Sequence, residues 1–292
     1  MKKVLVAGAT GYLGRYVVQE LHKQGYYVKA LVRNEQKLAV QGNYMDPAIH
    51  DIVDEVVQGE LTNRASLEGI CEDIDIVFSS VGITRQKDGL TFMDVDYQGN
   101  VNLLREAERS GVKTFMYIHV FGDYIDAPVV KAKKRFVEQL KQSTIDHIIM
   151  KPTGYFSDMT EFLQMAKKGK VYLIGDGTTK MNPIHGSDLA KCCVDSIEKR
   201  NEEVSVGGPS APTYEQMAQM ALLAAGKEGK VVHIPQWIVN VVLGLLKVVS
   251  KRHYELAQFF VNGARQDLVA PPYGEQDLEG FYQECMKKEN RR

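Results

Sequence analysis

The 292-residue chain lacks an excess of charge of either sign: 36 Lys and Arg against 37 Asp and Glu leave a formal charge of -1. No global field draws it toward nucleic acid or an anionic membrane, so a basic polymer-binding module is excluded. Cysteine is sparse. Cys71, Cys192, Cys193 and Cys285 have neither the number nor the spacing of a disulfide framework or a zinc site, and a reducing, cytoplasmic setting is expected. The histidines are scattered with no His-x-x-x-His pairing, so no metal is expected. No serine sits in a Gly-x-Ser-x-Gly elbow. Long apolar runs are missing too: WIVNVVLGLLKVVS (237–250) is too short to span a bilayer and carries Asn240 and Lys247. Strand-like sequence from Lys3 onward leaves no room for a signal peptide, by expectation.

What is present is an alternation. VLVAG (4–8), YVKALV (27–32), EVVQG (55–59), DIVFSSV (75–81), FMYIHV (115–120) and DHIIMK (146–151) read as strands buried on both faces. Helix-length amphipathic segments lie near 12–24, 64–72, 92–110 and 129–142. Strand and helix taking turns predicts an α/β, Rossmann-like, doubly wound parallel sheet over 1–152. Beyond Pro152 helices dominate, joined by short strands such as VYLIG (171–175) and VSVGG (204–208). This predicts a smaller, mainly helical lobe over 153–292 on the substrate side, not an independent domain.

The stretch VLVAGATGYLGRYVV places Gly8, Gly11 and Gly14 between the first strand and the first helix. There Gly8 permits a tight turn, Gly11 lets backbone approach a pyrophosphate, and Gly14 lets helix pack on strand with its N-terminus toward the anion. Thr10 adds a hydroxyl donor, and Tyr12 and Leu13 complete the loop. A dinucleotide is the expected cofactor. The second strand ends ALVRN, with Arg33 where NAD-preferring proteins place an acid. A cation there pairs with a 2′-phosphate, so NADP(H) is expected over NAD(H), with Lys37 and Arg15 as alternative cations.

G-A-T-G-Y-L-G with Arg33 resembles the atypical short-chain dehydrogenase/reductases, the NmrA-like branch. AKKRFVEQL (132–140), MKPTGYFSDM (150–159), NPIHGSDLA (182–190) and GGPSAPTYEQMA (207–218) are similar to stretches of the divinyl chlorophyllide 8-vinyl reductase family and its bacterial relatives. The resemblance implies that Glu60 and Leu61 border the adenine and that Ser80, Val81 and Gly82 lie under the cofactor ribose. It also implies that Pro152, Thr153 and Tyr155 belong to the segment covering the nicotinamide. Such enzymes usually use a Tyr-x-x-x-Lys pair; here the lysine is Lys133, or Lys134 if the register slips by one, and the tyrosine slot holds Val129 or Val130. The departure argues against ordinary alcohol dehydrogenation. Hydride transfer to an organic acceptor, with an activated double bond as one candidate, remains, and Tyr155 is the alternative proton donor. A non-catalytic NmrA-like NADP sensor with a protein partner is the competing class. Lys131 and Arg135 read as solvated, His185 as a residue that docks the helix after it, and the apolar 237–250 helix as buried in the second lobe, with a greasy substrate pocket or a membrane surface as its other readings.

Overall fold

The computed structural model describes residues 1–83 and 89–289. The β-branched runs form a seven-stranded sheet in the order β3-β2-β1-β4-β5-β6-β8. Its strands are β1 (Lys3–Ala7), β2 (Tyr27–Val32), β3 (Glu55–Gln58), β4 (Ile76–Ser79), β5 (Thr114–Ile118), β6 (Asp146–Pro152) and β8 (Glu202–Val206). From β3 through β6 every neighbouring pair runs parallel. This brings all their carboxyl ends to one edge, with the reversal of strand order between β1 and β4.

Two compact units divide the chain. The first comprises Met1–His119, Lys131–Lys151 and Leu189–Val204. Here α1 (Tyr12–Lys23) buries Leu13, Tyr16, Val17 and Leu21, an i, i+3, i+4, i+8 stripe, and ends before Gly25 at φ 80°. The core between sheet and helices includes Leu5, Val77, Phe115, Tyr117, Phe136 and Ile149. The predicted 64–72 helix is only a 3-10 turn at Arg64–Leu67. The predicted 92–110 helix is two pieces: a π-helix, Met93–Gly99, running into α2 (Asn100–Arg109). Gly99 lets that π-turn approach Leu61, whose Cβ would lie 3.1 Å from any Cβ added there. The helix α3 (Pro128–Gln142) matches the expected 129–142.

The second unit comprises Val120–Val130, Pro152–Asp188 and Ser205–Arg292. It holds α4 (Phe156–Lys167), α6 (Tyr214–Ala224), α7 (Gln236–Val249), α8 (Lys251–Ala264), α9 (Leu278–Glu289) and a parallel pair, β7 (Lys170–Ile174) with β9 (Lys230–Ile234). The remaining helix, α5 (Gly186–Asp195), begins in this unit and ends in the first. One more expectation changes, and one strand is new. The VSVGG strand is the sheet's seventh strand and not a lobe connector, and KVVHI, unassigned in the sequence reading, is a strand because β7 offers it a partner.

The motif segments of the second unit meet at buried Asn182. Its side chain donates to the Gly208 and Ala270 carbonyls at 3.1 and 2.8 Å and accepts from the Ala270 N–H at 3.0 Å. Thr153 Oγ1 donates to the Asn182 carbonyl at 2.5 Å. Any Cβ on Gly207 would fall 2.2 Å from Asn182 Oδ1, so the glycine pair is required by close packing. K-P-T-G, N-P-I-H and G-G-P thus form one hydrogen-bonded junction.

Candidate active site

The glycine loop leaves β1 at Gly8, whose φ is +88° and where an added Cβ would lie 2.7 Å from Ser80 Oγ. A Cβ on Gly14 would lie 2.0 Å from the Gly8 carbonyl oxygen, so α1 rests directly on the turn that feeds it. No side chain caps α1 at Gly11, and its first turn holds no acid. The helix therefore offers backbone N–H donors and a positive dipole end at the carboxyl edge of the sheet, and these residues fit a dinucleotide pyrophosphate.

Around this loop the unit gathers the other candidates at successive strand ends. Arg33 follows β2 and Glu60 follows β3, with Arg33 Nη1 3.9 Å from Glu60 Oε1; the guanidinium side chain is 59% exposed. The Leu61 carbonyl accepts from Asn102 Nδ2 at 2.8 Å. Ser80 and Val81 follow β4 and pack on Gly8. The alternative cation Arg15 is committed elsewhere. Buried, it donates to the carbonyls of Thr10, Lys37, Val40 and Pro47 and pairs with Asp46 at 3.1 Å, which locks the 34–47 loop to α1. Arg15 is a structural buttress, not a phosphate ligand.

Lys133 is drawn inward. The apolar positions Val129, Val130, Ala132, Phe136, Val137 and Leu140 turn one face of α3 into the core, and Lys133 lies within that face, whereas Lys131, Lys134 and Arg135 are exposed. Arg135 stacks over the Tyr97 ring at 4.4 Å. Lys133 Nζ donates to Tyr117 Oη at 3.3 Å and to the Ile118 carbonyl at 3.2 Å. It stands 3.3 Å from Asp96 Oδ1, an ion-pair contact outside hydrogen-bond alignment. The other Asp96 oxygen accepts from the Ile83 N–H at 3.0 Å. Gly82 closes the cluster, since a Cβ there would meet Asp96 Oδ1 at 2.5 Å and Lys133 Nζ at 3.1 Å.

Burial pushes the Asp96 carboxyl up, against the pull of Lys133. For Lys133 burial alone would lower the pKa, but the Tyr117 oxygen and the Asp96 carboxylate outweigh it and hold the ammonium above its ordinary value. Burial pushes the Tyr117 phenol up to about 12. Being fully enclosed, Tyr117 serves as an acceptor for the lysine. The predicted tyrosine slots, Val129 and Val130, are buried apolar residues.

Asp96, Asn100, Ser79 and Tyr117 were not singled out in the sequence. Asn100 accepts from Ser79 Oγ at 2.6 Å and donates to the carbonyls of Val81, Val95 and Asp96, stapling the end of β4 to the π-helix. A signal existed: Asp96, Asn100, Leu103 and Ala107, at i, i+4, i+7 and i+11, form one helical stripe in which two polar residues share the buried face. π-Turns inside helices recur at functional sites, which fits this placement.

Pro152, Thr153 and Tyr155 belong to the second unit. Tyr155 is half-buried at the head of α4, where its N–H donates to Asp158 Oδ2 at 3.4 Å, and it bridges to Ile184. His185 Nδ1 lies 2.7 Å from Ser187 Oγ, and its ring packs edge-on against Phe156 and Phe281. Burial lowers its pKa, so at neutral pH the ring is a neutral acceptor for the Ser187 N–H at the start of α5. Among the described residues no group of three His, Cys, Asp or Glu side chains could hold a metal ion.

A parallel sheet in Rossmann order, whose first strand runs through a glycine cradle into an uncapped helix, defines a dinucleotide-binding protein. The match to a known family is direct: the chain belongs to the NAD(P)H-binding family, whose pattern it matches over residues 8–200. A curated relative is the chloroplastic divinyl chlorophyllide a 8-vinyl-reductase of Zea mays, 27% identical over 321 residues, covering 98% of this chain and 79% of that one. Among solved structures, a nucleoside-diphosphate-sugar epimerase from Staphylococcus aureus has a TM-score of 0.77 at 20% identity, covering 97% of this chain and 100% of that one. The NADPH-dependent quinone oxidoreductase of Escherichia coli, complexed with NADPH, has a TM-score of 0.73 at 19% identity, covering 98% and 99%. Both structural likenesses are likenesses of fold.

Proposed function

We propose that this protein is an NADPH-dependent reductase that passes hydride to an organic acceptor, with an activated carbon–carbon double bond as the acceptor class to test first. The observation that carries the reading is the cradle of Gly8, Gly11 and Gly14 at the uncapped head of α1, in a chain of the NAD(P)H-binding family. The vinyl reductase similar over 98% of this chain supports the acceptor class, and the NADPH-bound quinone oxidoreductase of the same fold supports the cofactor. A bound reduced nicotinamide supplies the hydride. The chain's own residues do the rest: α1 holds the pyrophosphate with backbone donors, and Arg33, anchored near Glu60, presents a cation to a 2′-phosphate. Leu61 borders the adenine, and Ser80 to Gly82 support the ribose.

Lys133 is assigned as a positioning residue. Its contacts tie the end of β5 to the π-helix, and its retained charge keeps the ribose side of the site electropositive. With valine in the usual tyrosine slot, Tyr155 is assigned as the proton donor, and Pro152 and Thr153 form the segment that covers the nicotinamide. Purified protein mixed with NADPH and a panel of enones, quinones and vinyl compounds should oxidise the cofactor with at least one acceptor. Tyr155→Phe should lower that turnover by about 10²-fold or more while NADPH affinity holds. Tight NADPH binding with no oxidation across the panel would reject the reductase reading. Turnover unchanged in Tyr155→Phe would reject the donor alone.

A further inference from the structure

We propose that α7 is a membrane-surface helix whose partner is an anionic lipid bilayer. The sequence predicts burial for this helix, and the structure overturns that: of its residues only Val239 is buried. Trp237 is 68% exposed, Leu245 63% and Val248 87%, and Val241, Val242 and Val249 are exposed as well. At about 100° per residue these six fall within an arc of roughly 140°. Val239, Leu243 and Leu246 lie on a separate face and are buried or half-buried, while α7 packs against α8. Asn240 and Lys247 occupy the polar border, where Asn240 Oδ1 accepts from Arg265 Nη2 at 2.6 Å. The helix thus spends one apolar face on its own lobe and turns a second, wider one to solvent. Contiguous apolar surface of this kind marks an interaction site.

Charge selects the partner. Between Glu228 and Glu255 the chain has no acid, while Lys230, Lys247, Lys251 and Arg252 give the stretch four formal positive charges in a protein of net charge -1. Three of the four cluster at the C-terminal end of α7. An apolar face containing Trp, Leu and Val, in a stretch of chain whose formal charges are all positive, matches a helix lying in the headgroup plane of an anionic leaflet. Among the described residues no helix is long and apolar enough to cross a membrane, so α7 lies on the surface.

Trp237 is the only tryptophan in the chain and sits on the proposed contact face, so it reports directly. Vesicles of equimolar phosphatidylcholine and phosphatidylglycerol should sediment the full-length protein and shift its tryptophan emission to the blue. Phosphatidylcholine alone should do so more weakly, and added salt should weaken the anionic case. The double substitution Leu245→Asp with Val248→Asp, at exposed positions, should reduce partitioning at least about tenfold with an unchanged circular dichroism spectrum. Unmoved emission with no sedimentation on anionic vesicles would overturn the proposal. So would retained binding in the double variant, or a lipid-free blue shift that grows with protein concentration alongside a doubled mass by ultracentrifugation, which would assign the face to a second copy. The proposal does not rest on the reductase reading, and NADPH affinity measured in the same variant keeps the two apart.

Discussion

Lys133→Met tests the buried cluster most sharply. The substitution keeps an unbranched side chain of similar length and removes the ammonium that faces Asp96, whose side chain is fully buried. Among the described residues Asp96 would keep backbone N–H donors, chiefly that of Ile83, and no cation, and breaking a buried pair from one side costs about 3–5 kcal/mol. Asp96→Asn alone leaves the ammonium with two neutral acceptors, Tyr117 Oη and the Ile118 carbonyl, and should cost less, roughly 1–3 kcal/mol. The double substitution removes both charges, so its cost should fall short of the sum of the singles by about 2 kcal/mol or more. Urea unfolding of the four proteins supplies the cycle. The pH dependence adds a sign. Burial already raises the Asp96 pKa in the intact protein against the pull of Lys133, and Lys133→Met removes that pull and raises it further above the unfolded value of about 3.9, so the deficit relative to the intact protein is smallest below that pH and grows as pH rises toward the variant's folded value. Lys133→Met with Asp96→Asn should show no such trend. Additivity within about 0.5 kcal/mol, or a flat pH profile for Lys133→Met, would refute the coupled ion pair.

Two further outcomes follow from other contacts. Arg33→Ala should weaken NADPH binding by about tenfold or more while leaving NADH affinity nearly unchanged, as measured by calorimetry; equal effects on both cofactors would remove Arg33 from the phosphate site. Glu203 on β8 pairs with Lys141 and Lys151, and their hydrogen bonds hold its carboxyl down at about 2. Its stabilising contribution is therefore full above the unfolded carboxylate pKa of about 4.3 and is lost as pH falls toward about 2. After screening of this partly exposed group, Glu203→Gln should cost up to about 1 kcal/mol at neutral pH and nothing near pH 2. Thermal melts across that range decide it.

The cofactor end of the protein is written in short-range patterns. A glycine triplet between a buried strand and a helix, and β-branched runs alternating with amphipathic ones, state the sheet and the loop, because these depend on local backbone freedom and hydrophobic period. The motif left the lysine at 133 or 134, and the apolar face of α3 turns Lys133 inward and Lys134 out. What Lys133 touches was not legible. Asp96 and Tyr117 come from separate elements, and a π-turn, which breaks the 3.6-residue period, decides which carboxylate is buried. Arg15 and Arg33 look alike as cations beside the loop; only the fold shows that one is enclosed by four carbonyls while the other stands exposed at a strand end.

The α7 helix shows the same divide from the other side. Its sequence fixes an apolar helix with a narrow polar border, since side-chain period and hydropathy are local properties. Whether that apolar surface is covered depends on how much neighbouring chain exists to cover it. Here β9 enters at one end and α8 packs along a single face, which leaves Trp237, Leu245 and Val248 in solvent. The chain by itself determined the sheet, the dinucleotide loop and the character of each helix. Only tertiary structure decided which polar groups meet in the interior and which apolar face stays open, because both depend on contacts between residues far apart in sequence.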